Sequence, residues 1–327
     1  MVVGQLVSRL VRWAGKRVLI TGATGFIGQH LVQRLVESGA RICAGAAPGE
    51  GPERFAGLAA PDRRLTFDLR DAEAVQAAVA ETSPQIVVHL AAVGVTDPDV
   101  DPELALAVNA GGTLHLLEAL KEQDVQRVVL AGTCYEYGAR EATEGLDPFN
   151  AYAASKVAAW AFGRMYWWAH GLPIVTVRPF QVYGPGQPDH TLVPVAIRTA
   201  LAGADFPMTP GEQERDFIYV DDVVEGMLVA AEAPGLEGHS LDLGTGQVHT
   251  VYEVVKRIWT MTRAQGRILV GALPYRPGEV MHLVADADRT ARLTGWRARV
   301  GVEEGLRRTI EIKSGAVYAS SRGAFHE

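Results

Sequence analysis

Three polar residues near the middle of the chain have the types and the spacing of an acid–base centre. Tyr152 and Lys156 are four residues apart in the sequence YAASK, so on a helix they share one face, about one turn apart. Thr133 follows an apolar stretch that predicts a strand, and parallel sheets carry their functional groups at the carboxyl ends of strands. We expect Thr133 to hold a substrate oxygen while Tyr152 takes or gives its proton.

The proposed base requires a strong perturbation of its pKa. A tyrosine ordinarily has a pKa near 10, so acting as a base at neutral pH takes roughly 4 kcal/mol of differential stabilisation. The Lys156 ammonium and a cationic cofactor are the expected sources. Because Y-x-x-x-K is short and also occurs as a surface pair, this prediction depends on the motifs that precede it.

A glycine-rich turn near the N terminus predicts a dinucleotide site. The sequence TGATGFIG directly follows the first predicted strand and leads into an apolar helix, although its spacing has one residue more than G-x-G-x-x-G. Gly22 permits the tight turn, Gly25 lets the backbone approach a pyrophosphate, and Gly28 lets the helix pack on the strand. The anion would bind free amides at the start of the helix, where Phe26 and Ile27 lie.

The end of the second predicted strand bears on the choice between NAD and NADP. An acidic residue there ordinarily accepts the ribose hydroxyls of NAD, and the corresponding place, near Ala46, has none. No arginine lies beside it, so the sequence predicts NAD and leaves NADP open. Asp68 and Leu69, just before the predicted helix 72–81, are expected at the adenine, although Asp68 would serve equally as a helix-entry acid.

Strand-like apolar runs alternate with longer helical patterns in the first half of the chain, which is typical of a parallel sheet covered by helices on both faces. The predicted fold is α/β: a Rossmann-type doubly wound parallel sheet with a smaller C-terminal substrate-binding lobe. Predicted strands are 17–21, 41–44, 85–90, 127–131, 174–177 and 240–243, and predicted helices are 25–38, 72–81, 102–122 and 151–170. The expected divisions are an N-terminal extension at 1–14, a dinucleotide-binding domain at 15–179, a lobe at 180–312 from which strand 240–243 returns to the sheet, and a tail at 313–327.

Composition excludes several classes of function. The chain has 31 Lys+Arg against 38 Asp+Glu without a basic run, which argues against a nucleic-acid partner. Its two cysteines lack metal-ligand spacing, so we expect no metal and a reducing, cytoplasmic compartment. No apolar run approaches the length of a membrane span, and Arg9 and Arg12 interrupt the apolar start, which argues against a signal peptide.

These features resemble the extended short-chain dehydrogenase/reductase superfamily, in its NDP-sugar epimerase/dehydratase branch, from residue 16 to about 310. Besides TGATGFIG and YAASK, the matching segments are HLAA at His89, TCYEYG at Thr133, RPFQVYGPG at Arg178 and RDFIYVDD at Arg215. The resemblance implies that Ala91 and Ala92 line the cofactor and that Asn109 lies near the nicotinamide. It also implies that Lys156 binds the nicotinamide ribose.

The resemblance further implies that the second lobe binds a nucleotide-diphosphate sugar. Arg215 and Arg276 match arginines that hold the diphosphate, a role that suits a bidentate guanidinium, although Arg215 could instead pair with a neighbouring acid such as Asp216. Gln181 stands where many epimerases have asparagine. The remaining residues expected to contact the substrate are Cys134, Tyr135 and Val193.

Departures from the family pattern bear on the reaction. Dehydratases of this family carry an Asp-Glu pair directly after the catalytic threonine, whereas this chain has Cys134 and Tyr135. Elimination of water needs a positioned acid and base, so dehydration is disfavoured. Glu136, one place later, is the remaining carboxylate that would support it.

The hydrogen on C4 of a hexose is not acidic, so its inversion must pass through a ketone, which a bound dinucleotide makes possible by taking up and returning the hydride. The sequence therefore predicts an NDP-hexose 4-epimerase. The alternative is an NADPH-dependent NDP-4-keto-6-deoxyhexose 4-ketoreductase that uses the same residues. A non-catalytic dinucleotide-binding protein is opposed by the presence of Thr133, Tyr152 and Lys156. Helices at 104–122 and 152–169 resemble those of a four-helix dimer interface in this family, so we expect a homodimer.

Overall fold

A seven-stranded, fully parallel sheet forms the centre of the computed structural model, which describes residues 13–49, 59–97, 99–139, 145–276 and 278–323, with side chains to residue 315. The strands are β1 (Arg17–Thr21), β2 (Arg41–Ala46), β3 (Arg63–Thr66), β4 (Ile86–His89), β5 (Arg127–Ala131), β6 (Ile174–Pro179), β7 (Gln181–Tyr183), β8 (Phe206–Met208), β9 (Glu214–Arg215), β10 (Phe217–Tyr219), β11 (Ser240–Leu243), β12 (His249–Thr250), β13 (Ile268–Val270) and β14 (His282–Leu283). The helices are α1 (Phe26–Glu37), α2 (Ala72–Thr82), α3 (Pro102–Ala105), α4 (Gly112–Leu120), α5 (Ala151–His170), α6 (Leu192–Leu201), α7 (Val220–Glu232), α8 (Val251–Thr262), α9 (Ala287–Thr294) and α10 (Val302–Gly323).

The spatial order of the sheet is β3-β2-β1-β4-β5-β6-β11, with every neighbouring pair parallel. The chain therefore moves outward from β1 in one direction and then returns to continue from β4 in the other. Such a reversal opens a crevice at the carboxyl ends of the two central strands, where doubly wound proteins bind ligands. The predicted fold class is confirmed, and β11 lies beside β6.

Both faces of the sheet are covered because successive side chains of a strand point in opposite directions. In β1, Val18 and Ile20 pack into an apolar layer with α1 and α7, whereas Leu19 faces a second layer with α2, α4 and α5. A third apolar cluster, built from α6, α8 and the start of α10, forms the core of the smaller lobe.

One predicted helix differs in its course. Instead of a single α-helix over 102–122, the structure has α3, a π-helical segment at Leu106–Gly111 and then α4. Asn109 lies in the π-helical segment, and such widened turns are frequent at functional sites. Two apolar side chains of the helices expected at a dimer interface are exposed, Trp168 of α5 by 82% and Leu106 by 60%. Their exposure does not test the expected homodimer, which stays a prediction.

The ends of the chain differ from the expected divisions in one respect. Helix α10 continues from Val302 to Gly323, through the boundary expected at 312. Of the expected N-terminal extension, residues 1–12 lie outside the described part, and Trp13 is buried in the core. Among the helices that the structure describes, none is long and apolar enough to cross a membrane.

Candidate active site

A single cavity of 640 Å³ follows the carboxyl edge of the sheet and lies within the usual range for ligand sites. Its walls come from the segments after β1, β2, β4, β5 and β6, together with one face of α5. The residues predicted from the sequence that line it are Gly22, Gly25, Phe26, Ile27, Gly28, Asp68, Leu69, Ala91, Ala92, Thr133, Cys134, Tyr135, Tyr152, Lys156 and Gln181. The cavity therefore joins the glycine turn to the predicted acid–base residues.

The turn between β1 and α1 has the shape of a phosphate cradle. Gly22 has φ +70°, and a Cβ atom there would lie 2.7 Å from the backbone nitrogen of Ala91. A Cβ atom on Gly28 would lie 2.2 Å from the Gly22 carbonyl oxygen. Helix α1 has no acidic residue in its first turn, and its N-cap, Gly25, makes no side-chain cap. The positive end of this helix is thus available to an anion, and the cradle fits the pyrophosphate of a dinucleotide.

Beside the glycine turn, the described part of the cavity wall lacks the acidic residue that ordinarily follows β2. Gly45, Ala46, Ala47 and Pro48 line the cavity there, and residues 50–58 lie outside the described part. Asp68 lines the same part of the wall and forms a two-pronged ion pair with Arg70. Hydrogen bonds from Arg70 lower the pKa of the Asp68 carboxyl, so this side chain is an anion with a partner.

Helix α5 fixes the positions of Tyr152 and Lys156. Its N-cap is Asn150, whose side chain accepts a hydrogen bond from the Ala153 amide at 2.8 Å. Tyr152 is 6% exposed and Lys156 is 3% exposed, and both line the cavity from the same face of the helix. Thr133 faces them from the end of β5, so the structure brings the three predicted residues together.

The pKa of the Tyr152 phenol is set first by its burial. In the protein alone, burial raises it, whereas a hydrogen-bonding interaction with the Thr133 side chain lowers it by less. Burial also lowers the pKa of Lys156 to about 8, so this ammonium does not by itself produce an acidic phenol. A phenol acidified by Lys156 together with a cationic cofactor therefore stays a prediction.

A buried carboxylate fixes the loop that carries Thr133. Residues Cys134–Tyr137 form one 3₁₀ turn, in which Thr133 and Glu136 make a reciprocal capping box. Glu136 Oε1 accepts a hydrogen bond from the Thr133 amide at 2.9 Å, and Oε2 accepts one from Arg178 Nε at 2.6 Å. Because Glu136 is fully buried and ion-paired, its carboxylate does not line the cavity.

A second buried network connects β1, β4 and the helical segment of Asn109. His89 Nδ1 lies 2.6 Å from Thr21 Oγ1, and its Nε2 lies 3.0 Å from Thr113 Oγ1. Thr113 donates its hydroxyl proton to the Asn109 carbonyl, so it accepts from His89 Nε2–H, and Nδ1 accepts from Thr21. Burial lowers the pKa of His89 to about 3, so this histidine is neutral and structural at physiological pH.

Four predicted site residues lie outside the cavity wall. Val193 is 2% exposed and packs in the apolar core of the smaller lobe, and Arg276 is exposed. The Arg215 guanidinium pairs with Glu279 at 2.8 Å rather than with Asp216. The Asp216 carboxylate instead accepts hydrogen bonds from the Thr245 hydroxyl and from the backbone amides of Gly246 and Ala285. Val193 is therefore placed away from the cavity, whereas substrate contact by Arg215 and Arg276 stays a prediction.

Asn109 is the fourth residue outside the wall. Its Nδ2 donates hydrogen bonds to the Val93 carbonyl and to Ser155 Oγ, and its Oδ1 accepts one from the Val93 amide. Asn109 is therefore fully buried behind the cavity-lining Val93 instead of in contact with the cavity itself. It connects the loop after β4 to the helix that carries Tyr152 and Lys156.

Several cavity residues were not predicted from the sequence. No local motif marks them: Leu104 lies on the short helix α3, and the others, in loops of irregular sequence, include Val95, Thr96, Gln187, Pro188 and Thr191. His190 Nε2 lies 3.0 Å from Thr96 Oγ1 and joins two of these loops across the cavity. Among the described residues, no group of three or more His, Cys, Asp or Glu side chains is arranged to hold a metal ion.

The class of protein follows from the strand order and from the groups at its carboxyl edge: this is a short-chain dehydrogenase/reductase of the extended type. Residues 18–244 match the model of the NAD dependent epimerase/dehydratase family, and the chain belongs to that family. A UDP-glucose 4-epimerase from Mycolicibacterium smegmatis is 31% identical over 90% of this chain and 98% of its own length.

Two further proteins show the range of the relatives. The structure of the Thermus thermophilus UDP-glucose 4-epimerase in complex with NAD is similar with a TM-score of 0.81 and 32% identity, over 92% of this chain and 99% of that one. A probable dTDP-glucose 4,6-dehydratase from Sinorhizobium fredii is 27% identical over 90% of this chain and 92% of its own length. Epimerases and dehydratases are thus both among the proteins that this chain resembles.

Proposed function

We propose that the protein is an NAD-dependent NDP-hexose 4-epimerase that acts through a transient 4-keto sugar. The observation that carries the proposal is the meeting of Thr133, Tyr152 and Lys156 on the wall of the cavity that begins at the glycine turn. A bound NAD would lie across this turn, and its nicotinamide supplies a hydride acceptor and a positive charge. The named relatives that act on UDP-glucose support a nucleotide-diphosphate sugar as substrate.

In this proposal Tyr152 exchanges a proton with the substrate oxygen at C4. Its buried phenol is protonated in the protein alone, which suits the step that returns a proton to that oxygen. Removing the proton requires positive charge nearby, to which Lys156 contributes while it remains protonated. The Thr133 hydroxyl, which interacts with the phenol, holds the same oxygen in line.

The groups beside Thr133 argue against dehydration. Burial raises the pKa of Cys134 to about 12 and that of Tyr135 to about 12, so both are neutral at physiological pH. The Glu136 carboxylate is held by Arg178 and by the Thr133 amide. The described wall beside Thr133 therefore lacks the pair of carboxyl groups that elimination of water would use.

The diphosphate of the substrate would be held by Arg215 and Arg276. Both guanidinium groups act to lower the pKa of the Tyr135 phenol against the larger effect of burial, so both lie within electrostatic reach of this cavity-lining residue. Glu279 pairs with Arg215, so substrate binding would exchange this carboxylate for a phosphate oxygen.

A second candidate is an NADPH-dependent 4-ketoreductase acting on an NDP-4-keto-6-deoxyhexose. The observation in its favour is the cavity wall after β2, where Gly45 to Pro48 offer no carboxylate to oppose a 2′-phosphate. The same Tyr152 and Thr133 would serve a reduction, because proton delivery to a 4-keto oxygen is half of the epimerase reaction.

The test is a product analysis with a panel of nucleotide sugars. Purified protein is incubated with NAD and UDP-, dTDP-, GDP- or CDP-hexoses, and the products are separated and assigned by NMR. We expect the 4-epimer of one substrate to accumulate to equilibrium without net NADH. Oxidation of NADPH only in the presence of a 4-keto-6-deoxy sugar would establish the reductase, and formation of that keto sugar would establish a dehydratase. No reaction in any of these assays would refute the proposed function.

A further inference from the structure

We infer that the buried Glu136 side chain, which is held by Arg178, positions Thr133 by accepting the hydrogen bond of its amide and so keeps the Thr133 hydroxyl in reach of the Tyr152 phenol. The inference rests on the proposed function, in which Thr133 and Tyr152 act on the same substrate oxygen. Neither charged residue lines the cavity, so the pair acts through Thr133 and not on the substrate.

The contacts of the Glu136 carboxylate carry the inference. One oxygen accepts the hydrogen bond of the Thr133 amide and the other accepts that of Arg178 Nε. The Thr133 hydroxyl in turn accepts a hydrogen bond from the Tyr135 amide at 3.3 Å. Both the backbone and the side chain of Thr133 are therefore fixed by the turn that Glu136 closes.

Arg178 connects this turn to the catalytic helix. Its guanidinium carbon lies 5.6 Å from the ring centre of Trp160, which is on α5 with Tyr152, and 5.2 Å from the ring centre of Tyr137. The Tyr137 hydroxyl donates a hydrogen bond to Asp242 of β11 at 2.7 Å. The pair thus joins the end of β5, the strand β6 and the helix α5, whose relative placement sets the distance between Thr133 and Tyr152.

Gly132 shows that the chain is built around the carboxylate. A Cβ atom at this position would lie 2.3 Å from Glu136 Oε1 and 3.3 Å from Arg178 Cγ. Only glycine leaves the carboxylate room beside the end of β5. Glu136 also lies within electrostatic reach of the reacting groups, because its negative charge adds to the burial that raises the pKa of Tyr152 and opposes the burial that lowers the pKa of Lys156.

Stability alone does not require such a pair. Two charges lose their hydration when they are buried, and well-packed apolar residues of similar volume often replace a buried ion pair without loss of stability. Apolar side chains would fill the same space, but they would leave the Thr133 amide without an acceptor. The two roles can therefore be told apart by experiment, because positioning requires an acceptor for the Thr133 amide and packing does not.

The experiment compares two double variants with the wild-type enzyme. In Glu136→Leu with Arg178→Met, both charges and the acceptor for Thr133 are lost, whereas Glu136→Gln with Arg178→Met keeps a neutral acceptor. We expect the Leu/Met variant to remain folded and to retain NAD, with KM nearly unchanged and kcat lowered about 100-fold, the size of effect expected for a misplacement near 1 Å. The Gln/Met variant should recover most of that loss.

The matched control is an ion pair at the start of β5, the strand whose other end leads to Thr133. Arg127, the first residue of β5, pairs with Glu237 at 2.8 Å, far from the cavity wall. Arg127→Met with Glu237→Gln should leave kcat unchanged. Equal kcat in the wild-type and Leu/Met enzymes would overturn the inference, as would equally low kcat in the Leu/Met and Gln/Met enzymes, because the charge and not the acceptor would then matter.

A crystal structure of the Leu/Met variant tests the positioning without any turnover. We expect the separation between Thr133 Oγ1 and Tyr152 Oη to increase relative to the wild-type crystal structure. An unchanged separation would overturn the positioning role, whatever the activity of the variant. If the wild-type protein converts no nucleotide sugar, the proposed function fails, and this structural comparison still decides the role of the pair.

Discussion

Replacing Tyr152 with phenylalanine is expected to abolish turnover while leaving the fold and the binding of NAD intact. The change removes one hydroxyl from a helix whose cap and packing remain. Among the described residues, the other tyrosine that lines the cavity beside Thr133 is Tyr135, which belongs to the turn. General acid–base groups contribute roughly 10²- to 10⁴-fold, so kcat should fall by about 100- to 10,000-fold. Initial rates and calorimetric titration with NAD measure the two effects separately.

Tyr166→Phe is the matched control for this prediction. Tyr166 lies on the same helix and is also buried, but its hydroxyl donates to Glu118 and does not line the cavity. Its kcat should equal that of the wild-type enzyme. A Tyr152→Phe enzyme with more than a tenth of the wild-type rate would remove this residue from the acid–base role.

Replacing Gly28 with alanine is expected to eliminate NAD binding. The new Cβ atom would lie 2.2 Å from the Gly22 carbonyl oxygen and 2.8 Å from that of Ala23, so the glycine turn has to move away from helix α1. Backbone atoms cannot yield as a flexible side chain does, and the amides that face the pyrophosphate lose their arrangement. We expect the Kd for NAD to rise at least about 100-fold and the protein to lose a few kcal/mol of stability.

Gly111→Ala provides the comparison for that variant. Gly111 has helical backbone angles, and a Cβ atom there would lie no closer than 3.6 Å to the Leu106 carbonyl oxygen. Alanine should therefore be tolerated, with NAD affinity unchanged. Wild-type NAD affinity in Gly28→Ala would show that the turn does not hold the cofactor.

Local sequence patterns predicted the fold and the centre of the site. The order of apolar runs and helical stretches predicted the parallel sheet, because strands buried on both faces read as continuous apolar segments. TGATGFIG and YAASK each lie within one turn and its helix, so Gly22, Gly28, Tyr152 and Lys156 could be placed from short segments.

Contacts between distant segments could not be predicted in this way. Glu136 and Arg178 are 42 residues apart, and Arg215 and Glu279 are 64 residues apart, so no local pattern pairs them. Val193 was expected to contact substrate, but helix α6 turns it into the lobe core beside Tyr183. The hydrogen bonds of Asn109 to Val93 and Ser155, which the π-helical segment makes possible, could not be predicted from its sequence either.

The pKa of Tyr152 shows the other limit of sequence reasoning. The four-residue spacing to Lys156 predicted a phenol made acidic by a neighbouring ammonium together with a cationic cofactor. Burial raises the pKa of the Tyr152 phenol and lowers that of the Lys156 ammonium, because it disfavours the charged form of each. Exposure depends on the whole fold, which the spacing of two residues does not describe.

In the proposed mechanism, the hydride of C4 leaves and returns while Tyr152 transfers the proton to and from the adjacent oxygen. The most direct test uses the NDP-hexose that the product screen identifies, labelled with deuterium at C4 and incubated with the enzyme in ordinary water. We predict that the 4-epimer retains deuterium at C4, because the hydride is stored on the cofactor and does not exchange with solvent. Loss of the deuterium to water would mean that C4 is deprotonated directly, and it would contradict the mechanism proposed for this site.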